Sequence, residues 1–418
     1  MTDMDGWDWE IGEKKISLLP WQERFKWVEE PVASPDGEKV AAVVNIDEGE
    51  FDICVNGETW GEPFEKVWHL KYTPDGRLSA LIMELGEWSV AVDGESWPDR
   101  YGYVWNPLFS SDGRHIAVAV QQEMRYAMAL DGVLWDDVFL NMTYFTLSPN
   151  GKRTAAVVQV APADSGDIHE FQKGVFTAAL DGKAWETRFV NVWNLAISPG
   201  GEKLAAEVRL NLYEYTIAVD GKPWDRSYNC VWEPIFHPVT QSVVAPVREK
   251  GKWTLAQDGQ SLWNRQYVQL WHQTFSPDAS RLAAIVAPKY GCWTVSVDDH
   301  PWQHTFGDLV SDLVFSPDGK RIAAAAKQGD KWTLVVDDRP WQAEFDRVST
   351  PVFSSDGGNV AAKVGKNGRF TYALNGRLWG QDCEAVWDPI FSSSGDRLLL
   401  RTVEAGQYCR RVIQTDQF

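Results

Sequence analysis

Residues Lys331–Phe345 read KWTLVVDDRPWQAEF, and residues Cys292–Phe306 read CWTVSVDDHPWQHTF. Trp293 and Trp332 hold the same place in the two stretches and lie 39 positions apart. A repeat of roughly 40 residues is the mark of a propeller or another array, in which each unit is one supersecondary element that needs its neighbours. The question is how far the repeat runs.

Two alternating signals extend it along the chain. The first is a turn of the type S-P-D-G, written SPDG at Ser34, TPDG at Thr73, SSDG at Ser110, SPNG at Ser148 and SPGG at Ser198. It continues as HPVT at His237, SPDA at Ser276, SPDG at Ser316, SSDG at Ser354 and SSSG at Ser392, in steps of 37–40 residues except for one of 50. The second is an Asp/Asn-Gly or Asp-Asp turn followed by Trp60, Trp97, Trp135, Trp185, Trp224, Trp263, Trp302, Trp341 or Trp379. Each tryptophan precedes the next S-P-D-G turn by 13 residues, or 14 after Trp302, and Trp21 keeps the same distance to Ser34.

Between the turns the pattern is β. Short apolar runs such as RIAAAA follow one turn, and aromatic, β-branched runs such as WTLVVDD lead into the next. Proline presets φ and glycine accepts positive φ, which suits both turns to tight reversals. Each period therefore predicts four short antiparallel strands: an apolar stretch such as VWEPIF, the alanine-rich run, the W-T run, and a last strand begun by the tryptophan. That is the signature of an all-β propeller. The motif FSPDGKRIAAAA resembles the PD40 (WD40-like) repeats of TolB-like propellers, and the resemblance runs from about Ile16 to the C-terminus.

The chain ends are complementary. ISLLPWQERFKWVEEP carries only the last part of a unit, and DRLLLRTVEAGQYCRRVIQTDQF lacks a final tryptophan strand. The expectation is ten four-stranded blades in one ring, with an N-terminal strand around Trp21–Val28 completing the last blade. Two five-bladed rings are the alternative, since single rings usually have four to eight blades. Residues 1–15 read as a tail and 16–418 as the propeller, with a loop insertion at about 158–174 that accounts for the step of 50.

Composition narrows the function classes. A formal charge of −19 argues against nucleic acid and anionic membrane surfaces, which require clustered Lys and Arg. No apolar run approaches the ~18 residues of a membrane span, so direct insertion is not expected. The N-terminus lacks the pattern of a secretory signal, and the five scattered cysteines read as reduced thiols, which together point to the cytoplasm.

The 23 tryptophans sort by position. Ten belong to the turn-linked set and read as packing between blades, because one tryptophan buries about 150–250 Å². Six follow eight residues later at the entrance to the first strand: Trp68, Trp105, Trp193, Trp232, Trp271 and Trp387. In TolB-like propellers the strand leading into S-P-D-G lines the channel, and its entrance shares a face with the second-to-third-strand loops. The resemblance thus puts these six on the face that carries the insertion. Core packing is one role for them; a contact surface is the other, since tryptophan is enriched at interface hot spots.

Catalytic signatures are lacking in the sequence. There is no G-x-S-x-G elbow, no C-x-x-C-H, and the seven histidines are spread over different repeats, so no metal or cofactor is expected. The opening WDWEIG and the tryptophan-rich blades make the whole chain similar to the tryptophan-rich D subunits of the Tmc electron-transfer complexes of sulfate-reducing bacteria. That resemblance implies a non-catalytic accessory subunit, cytoplasmic and peripheral to the inner membrane. Its implied partners are a cytochrome b, an iron–sulfur subunit and a multihaem cytochrome. A sugar- or small-molecule-binding propeller is a second reading. A quinoprotein-like enzyme is a third, weakened because ALDGKAW lacks the Thr-Gly step of that family's docking motif.

Overall fold

The turns that betray the repeat are held by hydrogen bonds that explain their residue types. In the unit at Ser316, Gly319 N donates to Ser316 O at 2.9 Å and Arg321 N to Ser316 Oγ at 2.9 Å. The same hydroxyl donates to Asp318 Oδ1 at 2.6 Å, so one buried serine satisfies both sides of the turn. Where His237 replaces the serine, its Nδ1 accepts from Val239 N and Thr240 N at 3.1 and 3.2 Å. At the opposite end, Asp337 sits at φ 51°, a left-handed conformation that aspartate tolerates, and its Oδ1 accepts from Ile322 N at 2.9 Å. One turn thereby fixes the start of the second strand, and the other pins its register.

The structure, a computed structural model, describes residue 4, residues 6–162 and residues 172–418. These residues form ten antiparallel blades arranged in a ring. The blade at the opening motif is blade 8, with strands Leu309–Phe315, Ile322–Gln328, Lys331–Val336 and Arg339–Pro340 paired in that order. Its second strand is alanine-rich and buried on both faces, because the sheets on either side approach closely there. The wedge shape follows: small residues fill the inner seam and tryptophans the outer one. Most of the expected insertion at 158–174 lies outside the described residues.

Two expectations are corrected. The outer strand does not begin with the tryptophan; it is the two residues before it, such as Glu58–Thr59 ahead of Trp60 and Arg339–Pro340 ahead of Trp341. Tryptophan leaves the sheet to lie on the next blade, and the chain returns for one bridge, as between Trp332 and Phe345. That bridge, with Trp332 N to Phe345 O at 2.8 Å and Phe345 N to Trp332 O at 2.9 Å, ties the first aromatic of the opening motif to its last residue. Nor does Trp21–Val28 complete blade 10. Gly12–Ser17 does, pairing antiparallel with Gln407–Gln414, while Trp21 lies in a short helix, Leu19–Arg24, and Trp27–Val28 starts blade 1. The cause is the same in both cases, since the strand precedes the tryptophan.

Proline shapes the first strands. In blades 1, 6, 9 and 10 the first strand is split, as in Cys230–Val231 and Ile235–Phe236, around Pro31, Pro234, Pro351 or Pro389. A proline has no N–H to give the ladder. In blades 2, 4, 5, 7 and 8 a bulge takes its place, at His69, Tyr144, Asn194, His272 and Asp312, all at positive φ.

Closure decides between one ring and two. Two five-bladed rings would seal blade 5 against blade 1. Instead Ala205 and Ile217 of blade 5 pack with Val231, Phe236 and Val243 of blade 6. Blade 10 seals on blade 1: Arg401 Nη1 donates to Ser34 O at 2.7 Å, Tyr408 OH to Gly37 O at 2.8 Å and Arg410 Nε to Asp36 O at 2.9 Å. Val403 and Tyr408 share a core cluster there with Val40, Val44 and Cys54.

Candidate interaction face

The turn-linked tryptophans hold blade to blade. Seven of the ten lie over the Asp/Asn-Gly turn of the following blade, so closely at Gly182 (φ 79°) that a Cβ there would come 3.1 Å from the Cβ of Trp135. Trp135 also donates from Nε1 to Thr154 Oγ1 of that blade at 2.8 Å. Where Asp-Asp replaces the glycine turn, the second aspartate makes the joint. Asp299 Oδ2 accepts from Asn264 N at 2.8 Å, and Asp338 Oδ2 from Gln303 N at 2.9 Å.

The six remaining tryptophans open the first strands. The register Lys66↔Met83 sets the start of a first strand beside the end of the second, so these residues and the second-to-third-strand hairpins share one face. Each of the six packs on the aromatic residue that opens its own third strand. Ring centroids are 4.6 Å apart for Trp68–Trp88, 6.1 Å for Trp105–Tyr126 and 6.2 Å for Trp193–Tyr215. They are 5.4 Å for Trp232–Trp253, 4.5 Å for Trp271–Trp293 and 5.7 Å for Trp387–Tyr408. Pairs at such distances contribute about 0.5–1.5 kcal/mol beyond area burial.

The six are not one patch. Trp68 and Trp105 are joined through Tyr103, at 6.3 and 5.7 Å. Trp232 and Trp271 line one cleft of about 330 Å³ with Trp293 and Tyr290. Trp193, in blade 5, stands between these groups, and Trp387, in blade 10, faces a separate cleft. Trp68 and Trp232 are the open ones, at 41% and 39% exposure, and the others are half-buried.

What the sequence reading missed are the hairpin tips on this face. Leu85, Met124, Tyr213 and Tyr290, in blades 2, 3, 5 and 7, are 95%, 75%, 78% and 94% exposed. The corresponding tips in blades 8, 9, 10 and 1 are Gly329–Asp330, Asn367–Gly368, Ala405–Gly406 and Glu48–Gly49. Large apolar tips thus fall within blades 2 to 7, where Lys250–Gly251 in blade 6 interrupts them and the blade 4 tip lies outside the described residues. Leu85 at φ 51° and Met124 at φ 61° also take a left-handed conformation that favours Asn or Gly, which Asn367 occupies in blade 9. Folding gains nothing from a leucine or methionine at these positions. For Leu85 and Tyr290, a large apolar residue beside a hairpin glycine was the available signal.

Titratable groups on the inner strands are few. Glu207 replaces an apolar residue on the second strand of blade 5, and burial pushes its carboxyl up to about 7, opposed by an amide bond from Asn194 Nδ2 at 2.9 Å. Burial raises the Cys383 thiol to about 12, and Cys54, Cys230 and Cys409 shift the same way. His300 Nδ1 meets Asp298 O at 2.7 Å, and His304 Nδ1 meets Asp338 Oδ1 at 3.0 Å. Among the described residues no group of three or more His, Cys, Asp or Glu side chains is placed to hold a metal ion. No helix among them is long and apolar enough to cross a membrane.

No protein-family model and no curated protein matches the sequence. Solved structures do match in shape. One, described as the eukaryotic initiation factor, is 12% identical, with a TM-score of 0.49, over 79% of this chain and 90% of that one. Another, the β-propeller domain of Cps50 (Swd1) from Myceliophteria thermophila, is 14% identical, with a TM-score of 0.31, over 65% of this chain and 96% of that one. The ten-bladed ring shows that the chain has a β-propeller fold.

Proposed function

We propose that this propeller is a non-catalytic scaffold, an accessory subunit of a membrane-associated electron-transfer complex of the Tmc type. The partner proteins dock on the face carrying Trp68, Trp105, Trp193, Trp232 and Trp271. The observation that carries the docking reading is the exposure of four hairpin-tip residues, Leu85, Met124, Tyr213 and Tyr290. Four large apolar side chains stand almost fully in water, two of them in backbone conformations that disfavour them. A fold has no use for such residues, whereas an interface gains from apolar and aromatic anchors. The sequence likeness to the tryptophan-rich D subunits supplies the class of partner: a cytochrome b, an iron–sulfur subunit and a multihaem cytochrome. The arrangement suits a peripheral protein held by its partners at the cytoplasmic side of the inner membrane.

The test is gentle purification of the tagged protein from its native membranes, with identification of co-eluting subunits and a haem spectrum. Haem-bearing partners in fixed ratio support the reading. A protein that elutes alone, or one whose partners are kept after Leu85→Asn and Tyr290→Asn together, contradicts it.

A further inference from the structure

Blade 9, like blade 8 with its Ser311, lacks a tryptophan where the six stand. Ser349 occupies the position, as its backbone bond to Lys363 O at 3.0 Å shows beside that of Trp387 to Arg401 O at 3.1 Å. Two residue pairs further out, Arg347 faces Gly365, the one glycine at that second-strand position in the ten blades. Its φ lies outside the left-handed region, so the backbone does not require glycine; a Cβ there would press on Arg347 Cβ at 3.3 Å. Blade 9 alone combines a serine with a glycine here, and so lacks filling at both positions. What remains is a cleft of about 740 Å³ between blades 9 and 10, roofed by Leu18 and Gln22. That volume falls in the range of small-molecule sites, roughly 300–1,000 Å³.

The lining has a definite chemistry. Phe370, Val386 and Trp387 form apolar walls, and four charged side chains open into the same space. Two of these are engaged: Lys363 Nζ pairs with Asp388 at 3.0 Å, and Glu384 Oε1 accepts from Ala405 N at 3.1 Å. The side chains of Arg347 and Glu30 make no hydrogen bond or ion pair with any described residue. One unpaired cation and one unpaired anion thus share an apolar cleft too large for a single amino acid.

We propose that this cleft binds a short apolar peptide with free termini. The terminal carboxylate meets the Arg347 guanidinium, the terminal ammonium meets the Glu30 carboxylate, and the side chains lie against Trp387 and Phe370. A planar guanidinium suits bidentate recognition of a carboxylate.

The test is titration calorimetry of the full-length protein with the tripeptide Leu-Phe-Leu and with its N-acetylated and C-amidated forms. The free tripeptide binds saturably, and each cap weakens binding by about fivefold or more, as expected for a lost charged contact. Arg347→Gln abolishes the penalty of amidation alone, and Glu30→Gln that of acetylation alone. Ser349→Trp, which restores the residue used in six other blades, fills the cleft and abolishes binding with the melting temperature kept. The two surface variants carry the test even if Ser349→Trp fails to fold. No saturable binding of Leu-Phe-Leu, equal binding of the capped forms, or unchanged binding to a folded Ser349→Trp protein each overturns the proposal.

Discussion

Arg401 offers a direct lever on ring closure. It sits at a second-strand position of blade 10 where most other blades carry an apolar residue such as Val43, Leu81 or Ile285. The side chain is buried, and burial pulls its guanidinium below the usual arginine range. Nη1 reaches across the seam to Ser34 O at 2.7 Å, and Nη2 to Asp388 O at 2.9 Å. Arg401→Met keeps much of the volume but strands two buried carbonyls, a loss of about 1.5–3 kcal/mol for each bond to a charged group. Relief from burying a cation returns part of that, so the net loss is about 3 kcal/mol. Over 418 residues the unfolding entropy is about 0.9 kcal/mol/K, so the melting temperature falls by about 3 °C. Scanning calorimetry reads the shift, with Lys363→Met, the equivalent residue one blade earlier, as control. The Lys363–Asp388 pair is solvent-exposed, and its loss costs about 1 kcal/mol or less. If Arg401→Met melts at or above the parent, the seam is not closed through this side chain and the reasoning fails.

Three further outcomes are expected. Glu207 is raised from its ordinary value to about 7 by burial, so the folded state holds its proton more tightly than the unfolded one. Its contribution is complete below about pH 4.5 and is lost as pH rises through 7, about 3 kcal/mol in all. Parent protein therefore melts lower at pH 8 than at pH 6, and Glu207→Gln flattens that step; an unchanged step assigns it elsewhere. Trp135→Ala, at a blade seam, costs about 3–5 kcal/mol, whereas Trp68→Ala, at 41% exposure, costs about 1–2 kcal/mol. Equal losses in chemical denaturation would erase the distinction between the two tryptophan sets. Leu85→Asn relieves a left-handed leucine, so stability holds or rises by about 0.5–1 kcal/mol while partner retention drops. A destabilised Leu85→Asn protein would return Leu85 to a folding role.

The repeat was legible because its turns are made by side chains. Ser316, Asp318 and Asp337 each bond to a backbone group at a fixed offset, and that chemistry tolerates few substitutes, so ten copies stay recognisable. The strand that completes blade 10 was misplaced because tryptophan favours strands in general. Only the packing of Trp21 toward Gly57 shows that the residue has already left the sheet. Gly12–Ser17 reads GEKKIS, with a single apolar residue, and its pairing depends on a partner about 390 positions away. The aromatic entrances of the first strands could be found by counting. Their division into the Trp68–Trp105 group, the Trp232–Trp271 cleft and a separate Trp387 could not, because it rests on the side chains between them. The apolar tips escaped notice because exposure is a property of the folded surface; a leucine or tyrosine in a hairpin reads like any other apolar residue.

The central claim is that the two ends of the chain share one sheet and so close ten blades into a single ring. Hydrogen–deuterium exchange on the intact protein tests it most directly, read at peptides covering residues 12–17 and 407–414. The account predicts that both segments are protected together, and that deleting residues 1–17 releases those amides of 407–414 that face the lost strand, while those bonded to Arg397–Glu404 and blade 5 are unaffected. Free exchange of residues 12–17 in the intact protein, or unaltered protection of 407–414 after the deletion, would contradict it.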